Sequence, residues 1–170
     1  MKKCVFLDRD GVLNVEIGDY ITKDEQLIFP DIKDDLKVLK DSGFLLIVAT
    51  NQGGIDRGLY SREWVFEIHE RMQQEFGFVL DELYFTPHHP SLSKSYLTKP
   101  ASMMFEKGIA KFGIDPTQSW MIGDKERDMI PAKSLGMRCI LLNDKPVEET
   151  VADYVCRDFS QATRFILSNS

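Results

Sequence analysis

The stretch FLDRDGVLN, residues 6–14, decides the fold. Cys4 to Leu7 form a short apolar run, which reads as a buried strand, and two aspartates two apart, Asp8 and Asp10, stop it before Gly11. At the carboxyl edge of a parallel sheet, acidic side chains face the crevice where α/β proteins take ligands. On extended chain, side chains two apart point the same way. Two such carboxylates repel unless a cation neutralises them. A carboxylate there is a candidate nucleophile and a candidate ligand for a hard cation, whereas the pair taken alone is equally an acidic loop or a helix cap.

Outward from that edge, apolar runs alternate with helical patterns. Strands are expected at 4–8, 44–50, 82–86, 119–123 and 138–142. Between the first two, Ile32, Leu36 and Leu39 share one helix face and Gly43 supplies a stop. Further helices are expected at 61–76, 103–112 and 128–135, with a last one at 158–167. Strands separated by helices imply βαβ units, right-handed crossovers and a parallel sheet. The 170 residues suit one domain, 1–170, with a real core. Segments 14–30 and 86–98 are long and irregular, as functional loops often are.

Composition narrows the function. Hydrophobic residues make up 43% and charged residues 28%, ordinary for a soluble protein. A net charge of −6 argues against a nucleic-acid partner. Three scattered cysteines, Cys4, Cys139 and Cys156, form no CxxC pair, so neither a disulfide framework nor a cysteine zinc site is expected. The first apolar run is too short for a signal peptide or membrane span, and a reducing, cytoplasmic setting is expected.

Three later segments fit the same edge chemistry. In VATNQGG, 48–54, Thr50 and Asn51 end a strand and can hold phosphate oxygens, while Gly53 and Gly54 admit a close backbone approach; an ordinary capped turn is the alternative. Lys99, in TKP at 98–100, can neutralise a phosphate, although a lone lysine is usually a solvated charge. In MIGDKERD, 121–128, Asp124 is placed as a metal ligand. Asp128 caps a helix, braces the loop or joins the metal shell, bracing being favoured. Lys125 meets a substrate anion or solvent.

Together FLDRDGVLN, TNQGGIDRG, PHHP, KP and GDKERDM resemble, in that order and over nearly the whole chain, the haloacid dehalogenase (HAD) superfamily of phosphatases. Within it they resemble the subgroup of heptose-bisphosphate and histidinol-phosphate phosphatases. The resemblance implies a three-layer Rossmann-like fold with a central parallel sheet and no large cap domain. It implies Asp8 as nucleophile and Asp10 as general acid and base. Mg²⁺ would be held by Asp8, the Asp10 carbonyl and Asp124, with Thr50, Asn51 and Lys99 on the phosphoryl oxygens. Glu16, Asp19, Tyr20, Arg57 and Lys125 would face the substrate, a small phosphorylated metabolite, and a monomer is expected.

The chain also departs from that pattern. Relatives bind a structural zinc through a Cys-x-His pair and a later Cys-x-Cys; here the three cysteine positions hold Thr86, Ser95 and Leu97, leaving only His88. One imidazole does not hold structural zinc, so none is expected. His88 and His89 then serve to order their loop, and Tyr96 and Leu97 are candidates for packing in zinc's place. Thr98 stands where relatives place an arginine that recognises substrate. A sugar bisphosphate is the first substrate implied, histidinol phosphate the second and a polynucleotide 3′-phosphate the third. A phospho-acceptor signalling domain has its acidic residues in another order, and a non-catalytic binding module would not need every reactive residue type.

Overall fold

The computed structural model describes residues 1–18 and 20–170. Asp19, one of the expected substrate-facing residues, lies outside them. Six parallel strands form one sheet: β1 (Lys3–Leu7), β2 (Phe44–Asn51), β3 (Glu82–Thr86), β4 (Trp120–Gly123), β5 (Arg138–Leu142) and β6 (Tyr154–Cys156). Their spatial order is β3-β2-β1-β4-β5-β6. Five of the six match the apolar runs of the sequence. The sixth, three residues long at the sheet edge, was not among the expected strands. It pairs with β5 through Leu142 and Cys156.

Helices α1 (Lys33–Asp41), α2 (Arg62–Phe76), α3 (Met103–Phe112), α4 (Glu126–Ser134) and α5 (Phe159–Ser168) cover both faces. The alternation of β1 explains the layers. Val5 and Leu7 join Leu36, Met72 and Ile166, on the side of α1, α2 and α5. Cys4 and Phe6 join Phe105, Met129 and Ala132, on the side of α3 and α4. Both faces of the central strands are therefore apolar, which is why they read as continuous hydrophobic runs. All three cysteines are buried and unpaired. No helix is long and apolar enough to cross a membrane among the described residues.

The chain builds outward from β1 to β2 and β3, then returns to the other side of β1 with β4. The reversal places a topological switch point between β1 and β4, where such sheets bind ligands outside the carboxyl ends. Leu7 pairs with Ile122, and the Asp8 amide donates to the Ile122 carbonyl at 3.0 Å. Asp8 and Asp124 thus leave adjacent strands at one level. The last turns of β2 bring Thr50 and Asn51 to the same edge.

Candidate active site

A buried cation lies at the centre of this edge. Lys99 is 1% exposed, yet its ammonium lies 3.0 Å from Asp8 Oδ1, 2.6 Å from Asp128 Oδ1 and 2.8 Å from the Ala49 carbonyl. Burial opposes its charge, but Asp8 and Asp128 override that and raise its pKa above the usual lysine value. Asn51 holds the Lys99 backbone reciprocally, accepting from its N–H at 2.9 Å and donating to its carbonyl at 3.1 Å. The Asn51 amide is therefore committed to placing Lys99. Asp128 is fully buried and lies within the first turn of α4, which starts two residues earlier than expected. Its Oδ2 accepts the Lys125 N–H at 3.2 Å, so one carboxylate both caps the helix and braces Lys99.

Two carboxylates around one ammonium leave the buried cluster with excess negative charge. Burial first, then the charge of Asp128, push the Asp8 carboxyl up to about 6 against the pull of Lys99. Asp8 Oδ1 also accepts its neighbour's amide, Arg9 N–H, at 2.7 Å. Asp124 is raised as well, by burial, with Lys125 offsetting part of it and Asp8 adding to it. A proton or a further cation neutralises such a cluster.

The donor set for that cation is present. Asp8, Asp124 and Asp128 offer carboxylate oxygens within 4.8 Å of one another. Asp124 Oδ2 takes Lys125 Nζ at 2.9 Å, while Oδ1 is buried without a hydrogen-bond partner. An unmet buried carboxylate oxygen among hard oxygen donors suits Mg²⁺. Gly11 makes room for the Asp124 carboxylate. At φ +80°, a Cβ there would lie 2.6 Å from Asp124 Oδ2. Gly11→Ala is expected to cost about 1–2 kcal/mol from backbone conformation alone and to push Asp124 aside. A thermal melt and a Mg²⁺ titration on the variant check both; a normal Mg²⁺ affinity would show that Asp124 does not need this space.

Asp10 sits differently. Burial works against its charge, but Arg9 outweighs it with help from Gln52 and Asn14, so its pKa lies below the usual value. Arg9 is itself buried and grips Asp10 through Nε at 3.1 Å and Nη2 at 2.9 Å. Gln52 Nε2 reaches Asp10 Oδ2 and Thr50 Oγ1, each at 2.9 Å. The Thr50 hydroxyl is thus held by the same amide. Neither Arg9 nor Gln52 was among the residues singled out in the sequence.

Asp10, Asn51 and Lys99 open into a cavity of about 460 Å³ that is also lined by Glu16, Tyr20, Arg57 and Lys125. Four of the five expected substrate-facing residues thus share one wall with the chemistry. Lys125 bridges Glu16 at 2.6 Å, and Arg57 donates to the Tyr20 hydroxyl at 3.2 Å. Arg127, absent from the expected set, lines the cavity too, and neither it nor Arg57 has a carboxylate partner among the described residues. A larger space of about 670 Å³ lies on the far side of the Glu16–Lys125 pair, toward β5 and α5.

Loop 86–98 walls the cavity. Thr86 and Thr98 share a buried hydroxyl contact of 3.2 Å. Asp56 Oδ2 accepts from the His89 amide at 3.1 Å and Ser93 Oγ at 2.7 Å, and lies 3.4 Å from His88 Nδ1. Leu97 packs against the α3–α4 core. Tyr96 does not pack: it is 81% exposed, because the loop turns its ring away from the sheet.

The comparisons agree with this geometry. A family model described as HAD-hydrolase-like matches residues 96–162. A Haemophilus ducreyi protein named D-glycero-beta-D-manno-heptose-1,7-bisphosphate 7-phosphatase is 38% identical over 150 residues, covering 83% of this chain and 82% of its own. Its namesake from Haemophilus influenzae is 39% identical over 170 residues, with 91% of each covered. Among solved structures, the D,D-heptose 1,7-bisphosphate phosphatase of B. bronchiseptica, complexed with magnesium and phosphate, superposes with a TM-score of 0.85 at 23% identity over 99% of both chains. The Burkholderia thailandensis phosphatase of the same name gives 0.67 at 26% identity, covering 98% of this chain and 99% of its own. The fold is the Rossmann-like α/β fold of the HAD superfamily, and the chain is a phosphatase of that superfamily. Within that superfamily the chain belongs to the family of the heptose-bisphosphate phosphatases.

Proposed function

We propose that this chain hydrolyses the 7-phosphate of D-glycero-β-D-manno-heptose 1,7-bisphosphate through an aspartyl-phosphate, with Mg²⁺ bound, as one catalytic domain. The observation that carries the reading is the meeting of Asp8, Lys99 and Asp124 at one sheet edge beneath a cavity rich in cations. The β anomer follows the names of the Haemophilus relatives.

In this mechanism an Asp8 oxygen attacks phosphorus in line, and the bond from phosphorus to the sugar oxygen breaks. Asp10, ionised in the free chain, takes a proton that arrives with the substrate's phosphate monoanion and gives it to that oxygen as it leaves. Water then attacks phosphorus of the acyl phosphate, Asp10 takes the water's proton, and Asp8 is released with inorganic phosphate. Lys99 and the Thr50 hydroxyl stabilise charge on the phosphoryl oxygens. Asn51 contributes by holding Lys99. Asp8, the Asp10 carbonyl and Asp124 would hold Mg²⁺, which screens the nucleophile from the incoming anion.

The second substrate is less well matched. Histidinol phosphate carries an amine, which the acidic loop residues Glu16 and Asp19 would receive; Asp19 lies outside the described residues. Lys125 already pairs with Glu16, whereas Arg57 and Arg127 have no carboxylate partner among the described residues and are available to a second anion. A bisphosphate fits these charges better.

A panel of both heptose bisphosphate anomers, histidinol phosphate and a 3′-phosphorylated oligonucleotide, assayed for phosphate release with Mg²⁺, tests the reading. The β-bisphosphate should lead; preference for histidinol phosphate would overturn the substrate. Mg²⁺ at 100 times its dissociation constant should stabilise the protein by about 2.7 kcal/mol. EDTA should reverse that and stop turnover, and Asp124→Asn should lose most of the shift. An unchanged shift in that variant would remove Asp124 as a ligand.

A further inference from the structure

We propose that Gln52 is a positioning residue that aims the Asp10 carboxyl at the leaving oxygen, and that Arg9 and Tyr60 hold Gln52 in place. This rests on the reading of Asp10 as proton donor.

Gln52 is 1% exposed and its side chain uses both donors and both acceptor sites. Nε2 donates to Asp10 Oδ2 and Thr50 Oγ1 at 2.9 Å each. Oε1 accepts from Arg9 Nη2 at 2.9 Å and from the Tyr60 hydroxyl at 2.8 Å. The amide has one workable orientation, because a flip would set its N–H groups against the Arg9 guanidinium and its oxygen against the Asp10 carboxylate. Arg9 Nη2 also donates to Asp10, at 2.9 Å to Oδ1 and 3.1 Å to Oδ2. Arg9, Asp10 and Gln52 therefore close a ring of hydrogen bonds.

Tyr60 is fixed in turn. Its ring lies so close to Gly54 that a Cβ there would fall 2.3 Å from the ring carbon Cε1. The backbone secures the other side, where the Gln52 N–H donates to the Thr86 carbonyl at 2.8 Å. A glutamine that served packing alone would not need four polar partners, one of them a reacting group. Because the same amide holds Thr50 and Asp10, it fixes the distance between a phosphoryl-binding hydroxyl and the proton donor.

Leaving-group dependence separates aiming from general structure. An alkoxide needs a proton to depart, whereas 4-nitrophenolate leaves without one. Wild type, Gln52→Met, Tyr60→Phe and Asp10→Asn are compared on p-nitrophenyl phosphate and on the alkyl ester turned over fastest in the panel above. Methionine keeps the length of glutamine and removes its hydrogen bonds. Asp10→Asn should lower kcat on the alkyl ester by roughly 10³-fold and much less on the aryl ester. Gln52→Met should show the same selectivity at roughly 10²-fold, with KM little changed, and Tyr60→Phe a smaller version. Equal losses on both esters in Gln52→Met, or none on either, overturn the proposal while Asp10→Asn remains selective. Should Gln52→Met fail to fold, a non-selective Tyr60→Phe overturns it instead. An Asp10→Asn protein without selectivity overturns the reading beneath it and the proposal with it.

Discussion

Asp8→Asn protein is expected to lose turnover by roughly 10⁴- to 10⁶-fold and, without metal near neutral pH, to melt at a higher temperature than the native chain. The first effect follows from removing the nucleophile. The second follows from its surroundings. Burial and Asp128 raise the Asp8 carboxyl from 3.8 to about 6 in the fold. Its folded pKa exceeds its unfolded one, so the native state binds the proton more tightly. The contribution of Asp8 to stability is greatest below the unfolded pKa and falls as pH rises through the window from about 4 to 6. Above that window the ionised group costs about 3 kcal/mol, at 1.4 kcal/mol per unit. Asparagine does not ionise and escapes this cost. Melting curves across pH check the sign: the advantage of the variant should be large at neutral pH and vanish near pH 4. Saturating Mg²⁺ should shrink it by stabilising the native chain alone. A variant that melts lower than native at neutral pH would show that Asp8 is already compensated by Lys99. Activity retained in the variant would remove Asp8 as nucleophile.

Much of this edge was legible because its residues sit where a local pattern ends. FLDRDG announces itself as an apolar run stopped by carboxylates, and Asp8 lies just past β1. Asp124 follows Gly123 in the same way after β4. Lys99 had meaning only within the series of motifs, since nothing local distinguishes a buried lysine from a solvated one. Arg9 stayed hidden because an arginine beside two aspartates reads as a surface ion pair, yet the fold encloses it. Gln52 carries no spacing signal at all; its importance comes from Asp10 and Tyr60, 42 and 8 residues away. The strand β6 is too short to show a period, and its pairing with β5 alone defines it. Loop 86–98 was read by what it lacks. What ties it down includes Asp56, 37 residues from Ser93 and beyond any local rule.

Lys99→Met is expected to cost about 3–5 kcal/mol of stability, the usual penalty for removing one partner of a buried ion pair, as well as turnover. Methionine fills a similar volume but leaves Asp8 and Asp128 facing each other without the ammonium 3.0 and 2.6 Å away. Asp128 is fully buried and keeps only the Lys125 N–H, so its charge has nowhere to go. Arginine is no substitute, because a planar guanidinium cannot occupy the space where one point charge meets two carboxylates and the Ala49 carbonyl. The discriminating protein is the double variant Lys99→Met with Asp128→Asn. Removing the orphaned carboxylate should recover a large part of the lost stability, giving a coupling energy of roughly 1–3 kcal/mol in a double-mutant cycle. Turnover should not recover, since the cation facing the phosphoryl oxygens is still missing. Additive losses would mean that the two residues do not share an ion pair in solution. Recovered stability with dead chemistry would show one lysine acting twice, holding the edge of the sheet together before substrate arrives and stabilising phosphoryl charge once it does.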